Sequence, residues 1–260
     1  MHEQIKNAKR IVVKVGTSTL AYSTGRLNIR RVEKLVKVLS DTKNMGKEIV
    51  LVSSGAIGVG AGVMGLSSRP REAVEKQAAA AVGQCELMNR YSRMFGDFGH
   101  TVAQILLTKN VVEDKISKIN AENTFMRLID YGVIPIVNEN DTISTEEAEF
   151  GDNDTLSAVV ASLCNADLLV ILTDIDGVYS SNPKTDKSAK LIAEIDDIDN
   201  IMGVAQDTTN ALGTGGMITK LRAASMAKNH GISTVIACGS NPENLYEIIE
   251  GNHCGTFIPA

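Results

Sequence analysis

Short, continuous apolar runs alternate with helical patterns along the chain, and this alternation is what most constrains its fold. The runs are rich in β-branched residues, and most of them end in glycine or small polar residues. A strand that reads as an unbroken apolar run is buried on both faces, as in a parallel sheet covered by helices. We therefore expect an α/β fold with right-handed crossovers and helices on both sides of a mainly parallel sheet. The predicted strands are 11–15, 48–55, 101–107, 133–141, 167–174, 233–238 and 255–258, and the predicted helices are 29–39, 70–94, 120–131, 155–164, 217–230 and 242–250.

We expect a single domain over residues 1–260, with an N-terminal lobe of about 1–165 and a C-terminal lobe of about 166–260. The formal net charge is -5 and no long lysine or arginine block occurs, so nucleic acid is not an expected partner. The four cysteines are scattered, which argues against a zinc site and fits a reducing compartment. Because no signal peptide or membrane-spanning run is recognisable, we expect a cytoplasmic protein without membrane contacts.

Four of the predicted strands end in glycine-rich or polar sequence, at 14–18, 53–58, 138–141 and 173–174. Ligands of open α/β sheets bind beyond the carboxyl ends of the strands, so these four segments should lie around one site. Glycines let backbone N–H groups approach an anion closely, and a following helix adds the positive end of its dipole. Each glycine alone is better explained by a tight turn. Three groups of them, at Gly16, Gly55 and 213–216, together with nearby lysines favour a phosphate ligand.

Two lysines are candidates for contacts with that phosphate. Lys14 lies near the end of an apolar strand, where a lysine is rarely buried without a partner. An anion contact is therefore favoured over an edge-strand lysine that reaches water. Lys220 ends the segment GTGGMITK, and without the glycines before it an ordinary solvated helix lysine would be expected.

Acidic and amide side chains follow two of the same segments. In GDND at 151–154, one residue is expected to cap the next helix, and three polar residues exceed what capping needs. Asp141 and Asp154 could act as metal ligands, as a base, or as organisers of the two lysines. None of the four histidines lies near these motifs, so catalysis by a histidine acid or base is not expected.

Two glycine motifs are excluded by their context. Residues 60–65 match G-x-G-x-x-G, but they begin several residues after a strand and open no predicted helix, which argues against a dinucleotide-dependent oxidoreductase. The glycines at 213–216 lack the G-x-x-x-x-G-K-[ST] pattern of a P-loop. A nucleotide site in this chain must therefore have another design.

Six segments together resemble the amino acid kinase family. They read VVKVGTS at 12–18, VSSGAIGVG at 52–60, NENDT at 138–142, FGDND at 150–154, LTDIDGVYSSNP at 172–183 and GTGGMITK at 213–220. They follow the family's order over nearly the whole chain, and KVGTS, SSGAI and the NEND/GDND pair favour the branch that phosphorylates glutamate. The resemblance implies a three-layer α/β/α sandwich and ATP-dependent formation of L-glutamyl 5-phosphate, the first step of proline biosynthesis. Many members of that branch carry a further C-terminal PUA domain, which we do not expect here.

The resemblance also implies roles for individual residues. Lys14, Lys220 and Asp154 would be catalytic, with Lys14 on the transferring phosphate and Asp154 as the organiser of both lysines. Glutamate would bind in the N-terminal lobe to Ser54, Asp141 and Asn153. ATP would bind in the C-terminal lobe and at the first turn; the residues are Lys14, Gly16, Thr173, Asp174, Thr214, Gly215, Gly216, Met217, Ile218, Thr219 and Lys220. No protein metal site is expected, because Mg²⁺ would be held mainly through the nucleotide. A homo-oligomer, dimer or tetramer, and a functional link to glutamyl phosphate reductase are further implications.

The chemistry of such an acceptor explains why no histidine is needed. A glutamate side chain has a pKa of about 4.3, so it is ionised at neutral pH and needs no general base. From charge type alone, Asp141 suits the α-ammonium group, while Ser54 and Asn153 can donate to the substrate's carboxylate. The rival interpretations are a family member acting on another acid or a nucleoside monophosphate, and a non-catalytic nucleotide sensor on the same scaffold.

Overall fold

The computed structural model describes residues 3–22, 24–68, 70–144, 150, 152–183, 185–207 and 215–260. Its centre is a seven-stranded sheet in the order β3-β4-β2-β1-β5-β6-β7. Every neighbouring pair is parallel except β6 and β7, which are antiparallel. The mainly parallel α/β fold predicted from the apolar runs is therefore confirmed. The strands are β1 Arg10–Val15, β2 Glu48–Ser53, β3 Val102–Leu107, β4 Ile134–Glu139, β5 Leu168–Thr173, β6 Ser233–Cys238 and β7 Thr256–Ile258.

Helices connect these strands and cover both faces of the sheet. They are α1 Glu3–Asn7, α2 Thr17–Leu20, α3 Ile29–Asn44, α4 Ala56–Val63, α5 Ala73–Gly96, α6 Asn110–Glu113, α7 Lys115–Asp130, α8 Asn153–Leu163, α9 Ile198–Asp207, α10 Gly215–Lys228 and α11 Asn244–Ile249. Within the described residues, none of them is long and apolar enough to cross a membrane.

The alternation of side chains along the central strand separates two apolar cores. In β1, Ile11 and Val13 belong to the core shared with α3 and α5, whereas Val12 belongs to the core shared with α8 and α10. Successive side chains of a strand point to opposite faces, so a strand that is buried throughout needs a helical layer on each side. The two cores on the two faces of one sheet give the three-layer sandwich.

The chain order reverses beside β1, and this reversal places the site. The chain passes from β1 to β2 on one side, while β5 pairs with β1 on its other side and continues to β6. In open α/β sheets, ligands bind at such a switch point, beyond the carboxyl ends of the strands. The ends of β2, β1 and β5 therefore lie side by side at the expected ligand crevice.

The sequence prediction left out α1, α2, α4, α6 and α9. Of these, α4 at residues 56–63 follows the end of β2. Its sequence, AIGVGAGV, is rich in glycine, and glycine disfavours isolated helices. Tertiary packing outweighs this preference, because α4 crosses α5 backbone against backbone. A Cβ atom on Gly60 would lie 1.8 Å from the carbonyl oxygen of Ala79, and one on Gly83 would lie 1.8 Å from that of Ala56. Only glycine fits at these two positions.

Candidate functional site

Lys14 leaves the carboxyl end of β1 and forms an ion pair with the first turn of α8. Its Nζ atom lies 2.6 Å from Oδ1 of Asp154. The Lys14 side chain is only 9% exposed and that of Asp154 only 4% exposed. A lysine buried to this extent requires a nearby negative charge, and Asp154 supplies it.

Lys220 reaches the same carboxylate from the second turn of α10. Its Nζ atom lies 2.9 Å from Oδ2 of Asp154 and also donates to the carbonyl oxygen of Gly216. The hydroxyl of Thr219 donates to the same Oδ2 at 3.0 Å. One carboxylate therefore holds together two ammonium groups that come from β1 and α10.

Electrostatics keep Asp154 ionised. Burial raises its pKa, but the charges of Lys14 and Lys220 and their hydrogen bonds outweigh this, so the pKa lies below its ordinary value. The cluster thus contains two positive charges and one negative charge in a largely buried place. The net positive charge, together with the nearby start of α10, favours an anionic ligand.

The three polar residues at the start of α8 have separate tasks. Asp152 is the N-cap, and its side chain accepts a hydrogen bond from the backbone N–H of Thr155 at 2.7 Å. Asp154 lies in the first turn, where the helix dipole favours a negative charge, and its side chain contacts the lysines. Asn153 points its amide to the end of β2. The sequence expectation that one residue caps the helix and the others do more agrees with this division.

Asn153 connects the ends of two strands, β2 and β4, through hydrogen bonds. Its Nδ2 atom donates to the hydroxyl oxygen of Ser54 at 2.7 Å and to Oδ1 of Asn138 at 3.0 Å. Asn138 in turn donates to Oε1 of Gln84 on α5, at 3.0 Å. Asp141 lies half-buried in the turn after β4.

Asn138 and Gln84 are absent from the predicted site residues. Asn138 carries a usable signal, since it is a polar residue, only 3% exposed, at the end of an otherwise apolar strand. Gln84 carries no such signal, because glutamine is common in helices and its contact partner is 54 residues away.

Two glycine turns border the lysine cluster. Gly16 follows β1, and a Cβ atom there would lie 3.7 Å from Nζ of Lys14. Gly55 follows β2 with φ of 103°, a conformation that favours glycine, and precedes α4. The Ser54 N–H donates to the carbonyl oxygen of Val15 at 3.1 Å, which ties the two turns together.

The remaining predicted nucleotide residues lie on two further elements. Thr173 is buried at the end of β5, and its hydroxyl donates to Oδ1 of Asp174, which is exposed. Residues 215–220 form the first turns of α10. Thr214 lies outside the described residues. The structure thus brings Lys14, Lys220 and Asp154 into direct contact and joins Ser54 to Asn153.

The described part of the chain offers no obvious protein ligand set for a metal. No three Asp, Glu, His or Cys side chains in it come close enough together to hold an ion. Both carboxylate oxygens of Asp154 already lie against ammonium groups.

Comparisons with known proteins agree with this geometry. The model of the amino acid kinase family matches residues 9–238. The glutamate 5-kinase of Clostridium perfringens is 52% identical over 265 aligned residues, which cover 100% of this chain and 98% of that protein. The glutamate 5-kinase of Listeria innocua is 51% identical, and the match covers 99% of this chain and 95% of that protein.

Solved structures show the same fold at low sequence identity. A UMP kinase from Bacillus anthracis superimposes with a TM-score of 0.67 at 20% identity, covering 97% of this chain and 96% of that one. An isopentenyl phosphate kinase from T. acidophilum gives a TM-score of 0.65 at 20% identity, with coverages of 96% and 99%. These two structures support the architecture of the sandwich.

Proposed function

This chain belongs to the amino acid kinase family, and on that premise we propose that it transfers the γ-phosphoryl group of ATP to the side-chain carboxylate of L-glutamate. The product would be L-glutamyl 5-phosphate, the first intermediate of proline biosynthesis. The observation that carries the kinase chemistry is the pair of lysines held on Asp154 at the strand ends. The choice of glutamate is supported by glutamate 5-kinases that are 52% and 51% identical over nearly their whole length.

In the proposed reaction, a carboxylate oxygen of glutamate attacks the γ-phosphorus, and the bond from that phosphorus to the β–γ bridging oxygen breaks. ADP leaves with the bond's electron pair. No proton has to be removed, because the nucleophile is already an anion. The difficulty is the approach of an anion to a polyphosphate, so catalysis consists of positioning and charge stabilisation.

Lys14 and Lys220 are proposed to supply that stabilisation. Lys14 lies beside the Gly16 turn, where an ammonium group and backbone N–H groups can face the transferring phosphoryl group. Lys220 lies in the second turn of α10 and would contact the nucleotide phosphates. Asp154 keeps both ammonium groups in place before the substrates bind, so little reorganisation is needed in the transition state.

The substrates would meet from the two lobes. Glutamate would bind in residues 1–165 against Ser54, Asp141 and Asn153. ATP would bind in residues 166–260 at Thr173, Asp174 and 214–220, and at Gly16 and Lys14 of the facing turn. A Mg²⁺ ion held on the phosphates would neutralise part of their charge.

A trapping assay tests the proposal directly. The protein is incubated with ATP, magnesium, hydroxylamine and one candidate acid at a time, and the hydroxamate formed from an acyl phosphate is measured. We expect a signal with L-glutamate and none with aspartate, N-acetylglutamate or a nucleoside monophosphate. ADP formation with another acceptor would move the chain to a different branch of the family. Nucleotide binding without any turnover would instead support a sensor.

Assembly and context are part of the same proposal. We propose a cytoplasmic homo-oligomer, a dimer or a tetramer, whose unstable product is used by glutamyl phosphate reductase. Analytical ultracentrifugation would give the oligomeric state. A faster overall flux with reductase present than the separate rates predict would support the functional link.

A further inference from the structure

Four polar side chains from four elements form one hydrogen-bonded chain beside the proposed glutamate site. It runs from Gln84 on α5 through Asn138 at the end of β4 and Asn153 at the start of α8 to Ser54 after β2. The three donor–acceptor distances are 3.0, 3.0 and 2.7 Å. Asn138 is buried, while Gln84, Asn153 and Ser54 are half-buried. Gln84 belongs to none of the proposed binding sets.

The hydrogen bonds of this chain have one direction. Oε1 of Gln84 accepts from Nδ2 of Asn138, so Oδ1 of Asn138 faces Asn153. An amide nitrogen carries two hydrogens, and Nδ2 of Asn153 donates one to Asn138 and the other to Ser54. Asn153 therefore has only its carbonyl oxygen left for a ligand.

The same direction leaves Ser54 as a donor. Its hydroxyl oxygen accepts from Asn153, and no described residue takes its hydroxyl hydrogen. Towards glutamate, Ser54 can thus donate to a carboxylate, whereas Asn153 can accept from the α-ammonium group. This changes the expectation from charge type alone, in which Asn153 donates to the carboxylate.

The arrangement depends on an acceptor at position 84. If Asn138 turned its amide over, its NH₂ group would face the NH₂ group of Asn153, and two donors would oppose each other. Asn153 would then have to turn as well, and the hydroxyl hydrogen of Ser54 would be drawn to Asn153 and lost to the substrate. An acceptor that faces Nδ2 of Asn138 opposes this sequence of turns, because the reversed chain also requires the group at position 84 to present a donor to Asn138.

Helix packing fixes where that acceptor lies. Gly83 is adjacent to Gln84, and a Cβ atom on Gly83 would come within 1.8 Å of the carbonyl oxygen of Ala56 in α4. Helix α4 follows directly on the Ser54–Gly55 turn, so α5 cannot shift without moving that turn. The position of Gln84 is thereby fixed relative to Ser54, at the other end of the hydrogen-bonded chain.

We infer that Gln84 is a positioning residue that, through Asn138, fixes which of Asn153 and Ser54 donates and which accepts at the glutamate site. The inference rests on the proposed function for the identity of the ligand. It assigns Gln84 no contact with the substrate.

Three substitutions separate acceptor chemistry from simple packing. Gln84→Glu keeps an acceptor oxygen, Gln84→Met keeps the length without one, and Gln84→Lys replaces the acceptor with a donor. We expect the KM for glutamate to stay within about twofold of wild type for Gln84→Glu. It should rise about three- to tenfold for Gln84→Met, as for one lost hydrogen bond. It should rise about ten- to a hundredfold for Gln84→Lys, as for a half-buried donor that faces another donor. The KM for ATP should stay within about twofold in all three variants.

Asn89→Met is the matched control, because Asn89 is exposed on the same helix. Its glutamate KM should equal that of wild type, and thermal melting shows which variants fold. If Gln84→Met does not fold, the order of Gln84→Glu and Gln84→Lys still decides the matter. Equal glutamate KM values for these two variants, or a parallel rise in the KM for ATP, would overturn the inference.

The failure of the proposed function would be seen separately. Calorimetric titration of each variant with L-glutamate, without ATP, gives the same order of affinities independently of turnover. A wild-type protein that binds glutamate and forms no hydroxamate would refute the proposed reaction. The affinities of the Glu and Lys variants would then still confirm or refute the role of Gln84.

Discussion

Replacing Asp154 with asparagine should separate the structural task of this residue from the binding of ATP. The substitution keeps the side-chain shape and removes the one negative charge that lies 2.6 Å from Lys14 and 2.9 Å from Lys220. Two ammonium groups that are 9% and 12% exposed then share a site without a counter-ion, and the new amide hydrogens face at least one of them.

The cost can be estimated from the burial of the cluster. Removing one partner of a buried ion pair destabilises a protein by about 3–5 kcal/mol, because an uncompensated charge is left behind. For a chain of this size, 1 kcal/mol corresponds to about 2–4 °C in Tm, so we expect a decrease of roughly 6–20 °C. Asp152→Asn is the matched control for stability, since asparagine caps a helix about as well as aspartate.

The pH dependence of this loss follows from the lowered pKa of Asp154. A carboxylate whose pKa is depressed on folding contributes stability above its unfolded pKa and loses that contribution as the pH falls through the folded value. The stability difference between wild type and Asp154→Asn should thus be full above about pH 5 and shrink as the pH falls below about 3.9. Denaturant unfolding at several pH values measures it.

In steady-state kinetics, Asp154→Asn should impair turnover but not the binding of ATP. We expect kcat to fall about a hundred- to thousandfold, as when a preorganised charge contact is lost, while the KM for ATP stays equal or decreases because the site is more positive. A kcat within a few-fold of wild type, or a stability difference that does not shrink in acid, would refute this account of Asp154.

Three further predictions concern other parts of the site. Lys14→Ala and Lys220→Ala should each lower kcat/KM about a hundred- to thousandfold, a loss of roughly 3–4 kcal/mol of transition-state stabilisation, and activity within a few-fold of wild type in the trapping assay would contradict the assignment. Asp141→Asn should raise the KM for glutamate far more than the KM for ATP, which steady-state kinetics can test, and an unchanged glutamate KM would exclude a contact with the α-ammonium group. Gly83→Ala should destabilise the protein by about 3 kcal/mol because the helices cannot close, whereas Gly96→Ala in the same helix, where an added Cβ meets nothing within 4 Å, should be neutral in thermal melting.

The strands could be predicted from sequence because the apolar residues of each segment show by themselves that the segment is buried. In β1 and β2, five of the six residues are buried, and the apolar runs 11–13 and 49–52 are the direct consequence. Helix α4 could not be predicted in this way. Its glycines lower its own propensity, and they are explained only by α5, whose contact residue Gly83 lies 23 positions after Gly60.

In the site, too, some residues can be recognised from their own segment and others cannot. Charged residues at strand ends, such as Lys14, are conspicuous in sequence because burial of a charge needs a reason. Gln84 is inconspicuous, because its importance lies in the direction of a hydrogen bond to a strand 54 residues away. Donor and acceptor direction is a property of the assembled network, so no single segment carries it.

In the proposed reaction, the lysine cluster and the amide chain would meet two different requirements. Glutamate and ATP are both anions, so the site must be positive where phosphate moves and yet must distinguish the ends of a small zwitterion. Lys14, Lys220 and Asp154 supply net positive charge, which acts on any anion without regard to its shape. The neutral chain from Gln84 to Ser54 adds no charge, but it presents one donor and one acceptor in a fixed order. Loss of the first should therefore reduce the rate with every acceptor, whereas loss of the second should reduce the preference for glutamate.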